Sequence, residues 1–342
     1  MAMNISITGL GAVSPAGWGV KPLRVALAVN APLPPADLAR PGWEKPLRVR
    51  SVPASSTKLA ALAHPRLRRV SPITRFAVAS AMEAIGGEVG NISQPHRLGV
   101  IFCVMSGCVN YSRRFYDEVL KDPPSASPLV FPETVFNAPS SHLAALLGAG
   151  GMNYTMIGDP GTFLQGLALG ADWLLRESAD RVLVVGAEEI DWATADSFRM
   201  FSRRLVLAEG SGAVLLARGG EAPALARLEV VTDSHLFLQR RGRSAAAAAV
   251  RGQLPASREA VTLLCDGLQD VPRFDADEAT AWRDWTGPRL SPKTVLGEGL
   301  MAAAAWQCVA AVDALAEGRA VEANVSVVGC NQQAIGARFV RA

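Results

Sequence analysis

The sequence predicts an α/β chain whose strands and helices stack in layers. Three observations predict it. Strand-length apolar runs alternate with helical stretches through both halves of the chain. One run, "DRVLVVGAEEID" (Asp180–Asp191), is continuously apolar and ends in acids, as a strand buried on both faces of a parallel sheet does. The chain has 342 residues, 49% of them hydrophobic, ample for a large core in one broad domain or two fused halves.

In chain order, "NISITGLGAVSP" (Asn4–Pro15) is a strand that breaks at Gly and Pro. Residues Val20 to Val70 are rich in Pro, Ala and Arg with weak periodicity and are expected to be a surface excursion. Ser71–Gly87 has a Ser-Pro start, an apolar face and Gly stops, the marks of a helix. Arg97–Gly107 is a core strand and Cys108–Asp122 a helix; Phe131–Gly151 enters another helix at Ser140–Ser141. "NYTMIGDPGTFLQGLALGADWLL" (Asn153–Leu175) is a strand, a tight turn and a long helix. The second half repeats the pattern: strands at Leu207–Arg218 and Ala224–His235, a helix at Ser244–Leu254, a strand at Ala260–Gly267, a long buried helix at Gly299–Gly318 and two closing strands in Asn324–Ala342. Small residues in Leu143–Gly148, Leu167–Leu174 and Ala302–Ala314 suit close packing between layers.

Composition excludes several classes. The net charge of +3, from 34 basic and 31 acidic residues, is too balanced to argue for nucleic acid. Arginines cluster at His64–Val70, Ser202–Leu205 and Leu238–Ser244, as solvated loops or as docking patches for an acidic partner. Five cysteines and four histidines match no metal spacing, so reduced thiols and no metal are expected. With no leader-like start and no run of about 18 apolar residues, no membrane span and a cytoplasmic location are expected.

The strand-turn-helix at Asn153–Leu175 is the kind of elbow on which acyl-transfer enzymes mount a nucleophile, at the positive end of a helix. Its turn holds Gly158, Asp159, Pro160, Gly161 and Thr162, which otherwise reads as a capped helix start.

The order of segments resembles the thiolase fold, in particular the β-ketoacyl-acyl carrier protein synthases, over almost the whole chain. The resemblance is carried by "ITGLGAVSPAGWG", "FPETVFNAPSSHLA", the elbow with its helix and next strand (Met152–Glu189), "LAEGSGAVLLA" and "SPKTVLGEG", the last resembling the loop that carries a catalytic histidine. It implies a duplicated, layered α-β-α-β-α architecture with halves at 1–215 and 216–342. It also implies where the catalytic residues belong. The family's cysteine lies five residues after the strand threonine and four before the helix leucine; counting from Thr155 and back from Leu164 both give Pro160. Proline has neither a nucleophile nor an N–H. The first family histidine corresponds to Asp266 in "LLCDGLQD", and the second, five residues after Lys293, to Glu298. Carboxylates there oppose a developing oxyanion. Only Lys293 is retained, and the C-terminal gate is altered to "VVGCNQQ" (Val327–Gln333).

These losses resemble the chain length factor, or ketosynthase β-subunit, branch of type II polyketide and polyene synthases. Many of its members place glutamine at the cysteine position; proline here counts against a decarboxylase role suggested for that glutamine. The resemblance implies no cofactor, an active ketosynthase α-subunit as heterodimer partner, and an acyl carrier protein as a second partner. The interface strand would be Met152–Gly158, with Tyr154 on it. Tyr111, Phe115, Tyr116, Phe131 and Phe136 are candidates to line the tunnel or interface, against ordinary packing, and Arg68 and Arg69 to dock the carrier. Two alternatives stand beside this. One is an acyltransferase with a displaced Cys108 or Cys330 and an acid/base cluster of Asp266, Glu298 and Lys293. The other is a homodimeric scaffold that binds the carrier protein without chemistry.

Overall fold

The computed structural model describes residues 5–55, 60–87, 94–220, 223–238 and 242–342, without the side chains of 60 and 61. The first half runs β1 (Ile5–Ser14), β2 (Gly17–Trp18), α1 (Val20–Val29), β3 (Ala36–Leu38), β4 (Leu47–Arg50), α2 (Pro72–Ala84), β5 (Leu98–Val104), α3 (Val109–Lys121), α4 (Ala138–Leu147), β6 (Asn153–Ile157), α5 (Thr162–Leu175), β7 (Arg181–Glu188), α6 (Trp192–Arg199), β8 (Leu207–Ala208) and β9 (Gly210–Arg218). The second runs β10 (Ala226–Val231), β11 (His235–Leu236), α7 (Arg243–Gln253), β12 (Thr262–Cys265), α8 (Pro272–Ala281), β13 (Arg289–Leu290), α9 (Pro292–Leu296), α10 (Met301–Ala316), β14 (Glu322–Val328) and β15 (Gln333–Arg341).

Period-two alternation sorts the strand side chains between two cores. In β5, Val100, Phe102 and Val104 face one cluster with α2 and α4, while Ile101 and Cys103 face another with α5 and α10. In β7, Leu183 and Val185 go with the first set and Val182 and Val184 with the second. Each strand is therefore apolar on both faces and reads as a continuous run.

The strand order is β6-β5-β7-β9-β1 in the first half and β13-β12-β14-β15-β10 in the second, joined by the antiparallel pair β1–β10. The polarity repeats as well. The pairs β5–β6, β5–β7, β12–β13 and β12–β14 are parallel. The pairs β7–β9, β1–β9, β14–β15 and β10–β15 are antiparallel. Helices α5 and α10 fill the layer between the halves; α2 and α4 cover one outer face, and α7, with the Trp282 end of α8, the other. The result is the expected α-β-α-β-α layering of the thiolase fold.

The alanines of α10 have a geometric reason. Gly186 of β7 and Gly212 of β9 are register partners, and a Cβ on them would stand 3.1 and 2.8 Å from the Ala305 methyl. Helix and sheet touch at backbone distance there, so larger side chains do not fit on either surface. Residues Met301–Leu315 are buried on every side of the helix.

Three expectations need correction. Val20–Val70 is not only a surface excursion: α1 buries Leu23 and Leu27, and β3–β4–β8 form a small sheet over their own cluster. Helix α1 is held from outside itself, by Glu83 of α2 accepting from Val20 N at 2.8 Å and Ala12 N at 2.9 Å. The segment "SPKTVLG", expected as a loop, forms the short helix α9. Helix α4 starts at Ala138, slightly before the Ser pair.

Candidate functional site

The elbow forms where it was expected. Strand β6 ends at Ile157, and Thr162 N donates to Asp159 O at 2.8 Å to open α5. Pro160 is buried in the turn. The Asp159 side chain, however, does not cap this helix, which has no side-chain cap. Its carboxylate instead accepts four backbone N–H groups of the C-terminal loop: Cys330 at 3.0, Asn331 at 3.4, Gln332 at 3.1 and Gln333 at 3.2 Å. Gln333 Nε2 adds a bond to Thr162 Oγ1 at 3.3 Å. The contact also explains a glycine: a Cβ on Gly329 would lie 1.8 Å from Asp159 Oδ2.

Beyond this loop lies a buried ion pair. Lys293 Nζ, on α9, donates to Glu298 Oε2 at 2.7 Å, and the other Glu298 oxygen accepts Leu300 N at 2.8 Å. Both side chains are 3% exposed. Burial works against the Lys293 ammonium, but Glu298, Cys330 and Glu278 together outweigh it and the pKa is raised. The Glu298 backbone is bridged to β8, its N donating to Val206 O and its O accepting from Ala208 N.

Asp266 follows β12. Its Oδ1 accepts from Ser291 Oγ at 2.6 Å and Leu268 N at 3.2 Å, and Arg289 stands 3.4 Å from Oδ2. Burial raises its pKa. Glu278 of α8, not singled out from the sequence, accepts from Ser326 Oγ at 2.6 Å and Gly267 N at 3.2 Å. Burial, then Asp266, pushes it up to about 7. The available signal was its spacing: Phe274, Glu278 and Trp282 recur on the inward face of a helix.

A cavity of about 170 Å³ reaches Glu298 and Cys330 through apolar walls that include Met105, Phe198, Phe201 and Phe274; Arg243 and Gln269 line it too. No histidine lines it. The half-buried Cys330 thiol is pushed well above the ordinary thiol range by burial first, then by Glu298 and Asp159. Cys108 stands at the start of α3, a position that can lower the pKa of a thiol. The opposite holds: burial, then Glu189, Glu133 and Glu188, raise its pKa. Among the described residues no cluster has the make-up of a metal site, and no helix is long and apolar enough to cross a membrane.

The remaining candidates lie elsewhere. Strand β6 ends the large sheet, with Tyr154 53% and Ile157 57% exposed. The Tyr154 ring meets Trp173 edge-on at 5.3 Å. Around α3, Phe115 and Phe131 contact at 5.4 Å, Arg114 lies over Tyr111 at 5.7 Å, and Phe136 covers Gly107. Tyr116, Phe131 and Phe136 are exposed, and none of these six aromatics lines the cavity at Cys330. Arg68 and Arg69 are exposed beside the buried Leu67; of the Leu238–Ser244 arginine cluster, 239–241 lie outside the described residues.

No protein-family model and no curated protein matches the chain. Solved structures do. An ishigamide ketosynthase/chain length factor chain superposes with a TM-score of 0.81 at 20% identity, covering 99% of this chain and 100% of that one. A β-ketoacyl synthase from Burkholderia phymatum gives 0.81 at 16% identity, covering 100% of both. A chain from AntDE:AntF, a type II polyketide synthase acyl carrier protein in complex with its ketosynthase, gives 0.78 at 15% identity, again covering 100% of both. Across its full length this chain has the thiolase-like fold of the ketosynthases and their chain length factors.

Proposed function

We propose that this chain is a non-catalytic ketosynthase-like subunit. It pairs with an active ketosynthase through β6, helps shape the partner's acyl tunnel, and works with an acyl carrier protein in the cytoplasm. The observation that carries the reading is Pro160, buried at the turn of a correctly formed elbow. The Lys293–Glu298 pair supports it, since a carboxylate held by its own lysine offers nothing to polarise a thioester carbonyl. The open edge of β6, bearing Tyr154 and Ile157, supports the pairing. The repeated strand order supports a chain built of two halves. Tyr111, Phe115, Tyr116, Phe131 and Phe136 are proposed for the shared face and Arg68 and Arg69 for carrier docking.

The test is acyl loading followed by intact mass. Offered an acyl carrier thioester, this chain is expected to acquire no acyl group, alone or in its complex, while a partner's cysteine does. An acyl group on Cys108 or Cys330 would overturn the reading in favour of a displaced nucleophile.

A further inference from the structure

The cavity beside Cys330 holds polar groups that the fold leaves incomplete. Arg243, at the start of α7, is 6% exposed and lines the cavity. Its hydrogen bonds are two long ones, to Cys330 O and Phe274 O, each at 3.5 Å. Its nearest carboxylate, Asp277, is 3.8 Å from Nε, and Nε makes no hydrogen bond. Phe237 packs under it at 5.3 Å. Arg338, 3% exposed, is better paired: its Nε also lacks a well-aligned hydrogen bond, but Glu229 stands 2.9 Å from it, Glu322 is closer still to the fork, and Ser257 Oγ accepts at 2.9 Å. A buried cation without close acceptors is costly. Gln269 lines the same cavity, and its Oε1 is buried without a donor. Glu298, the anion on the wall, is occupied by Lys293 and Leu300 N. Arg243 is therefore the one cation among the lining residues.

We propose that this cavity is a binding site for a small monocarboxylic acid with an apolar body, its carboxylate on Arg243 and its body among Phe198, Phe201, Phe274 and Met105. A carboxylate is the partner that a guanidinium fork matches best. The apolar walls reject ligands that are polar throughout. The volume of about 170 Å³ sets the size, since an apolar cavity of about 150 Å³ admits a benzene ring. A hydroxyl on the acid, or a water carried in with it, supplies the donor that Gln269 lacks. The site does not depend on the pairing proposed above, because every group in it comes from this chain.

The experiment is ligand-observed NMR titration of the full chain, in the assembly in which it purifies, with benzoate and with benzamide as its uncharged counterpart. Benzoate is expected to bind saturably at one site per chain, at least tenfold tighter than benzamide. Arg243→Met should reduce benzoate to the level of benzamide. Phe201→Trp, at the exposed mouth, should weaken both and covers the case in which the arginine variant does not fold. Unsaturable benzoate binding, equal binding of benzamide, or benzoate binding unchanged in either folded variant would each overturn the site.

Discussion

Lys293 and Glu298 meet at 2.7 Å in the interior, each 3% exposed. Removing one partner strands the other. Glu298→Gln is expected to destabilise the chain by about 3–5 kcal/mol, whereas Lys293→Met with Glu298→Leu recovers most of that loss. Urea midpoints measure both. The Lys293 contribution has a pH sign. Its folded pKa is raised above about 10.5, so the stabilisation is complete below that value and fades as pH rises through the folded pKa. The wild type should lose stability at strongly alkaline pH more steeply than the double variant.

Three buried carboxyls give the neutral range the same slope. Burial first pushes Glu188 up to about 8 and Glu209 and Glu278 up to about 7. The folded state binds protons that the unfolded chain has released above about 4.5, so stability should fall as pH rises from about 5 to 8. Glu188→Gln should flatten part of that slope. Equal urea midpoints at pH 5 and pH 8 in the wild type would contradict this.

The Asp159 nest ties the elbow to the C-terminal loop. Gly329→Ala puts a methyl on the carboxylate and should cost about 1–3 kcal/mol, because four backbone N–H groups, that of Gln333 buried and the others part-buried, lose their acceptor. Asp159→Ala should do the same without the clash. In both, thermal melting should fall and limited proteolysis should open the chain near Cys330–Gln333.

Restoring a cysteine should not restore chemistry. Pro160→Cys is expected to yield no turnover of acyl and malonyl carrier thioesters, since the positions that the resemblance gives to the family's histidines would still hold Asp266 and Glu298. Turnover by the single variant would show that carboxylates at the other two positions do not block the chemistry.

The layered fold was legible because each core strand is apolar on both faces, and a continuous run survives any tertiary arrangement. Counting from Thr155 and back from Leu164 put Pro160 in the elbow turn, where the structure has it. What escaped notice depends on distance in the chain. The β4–β8 pairing joins Val49 to Leu207, and the Asp159 nest joins residues more than 170 positions apart. Helix α1 hid because only Leu23 and Leu27 of its ten residues are buried, and its cap comes from Glu83. Glu278 hid inside an acidic run, "DADEA", whose other carboxylates face outward more than it does.

As a non-catalytic subunit, this chain should be half of a working pair. The native mass of the tagged chain isolated from its own host tests that. A one-to-one complex is expected, with a second ketosynthase-like chain that retains its elbow cysteine, dissociated by Ile157→Lys on β6. A lone chain, or a homodimer unaffected by that change, would contradict it.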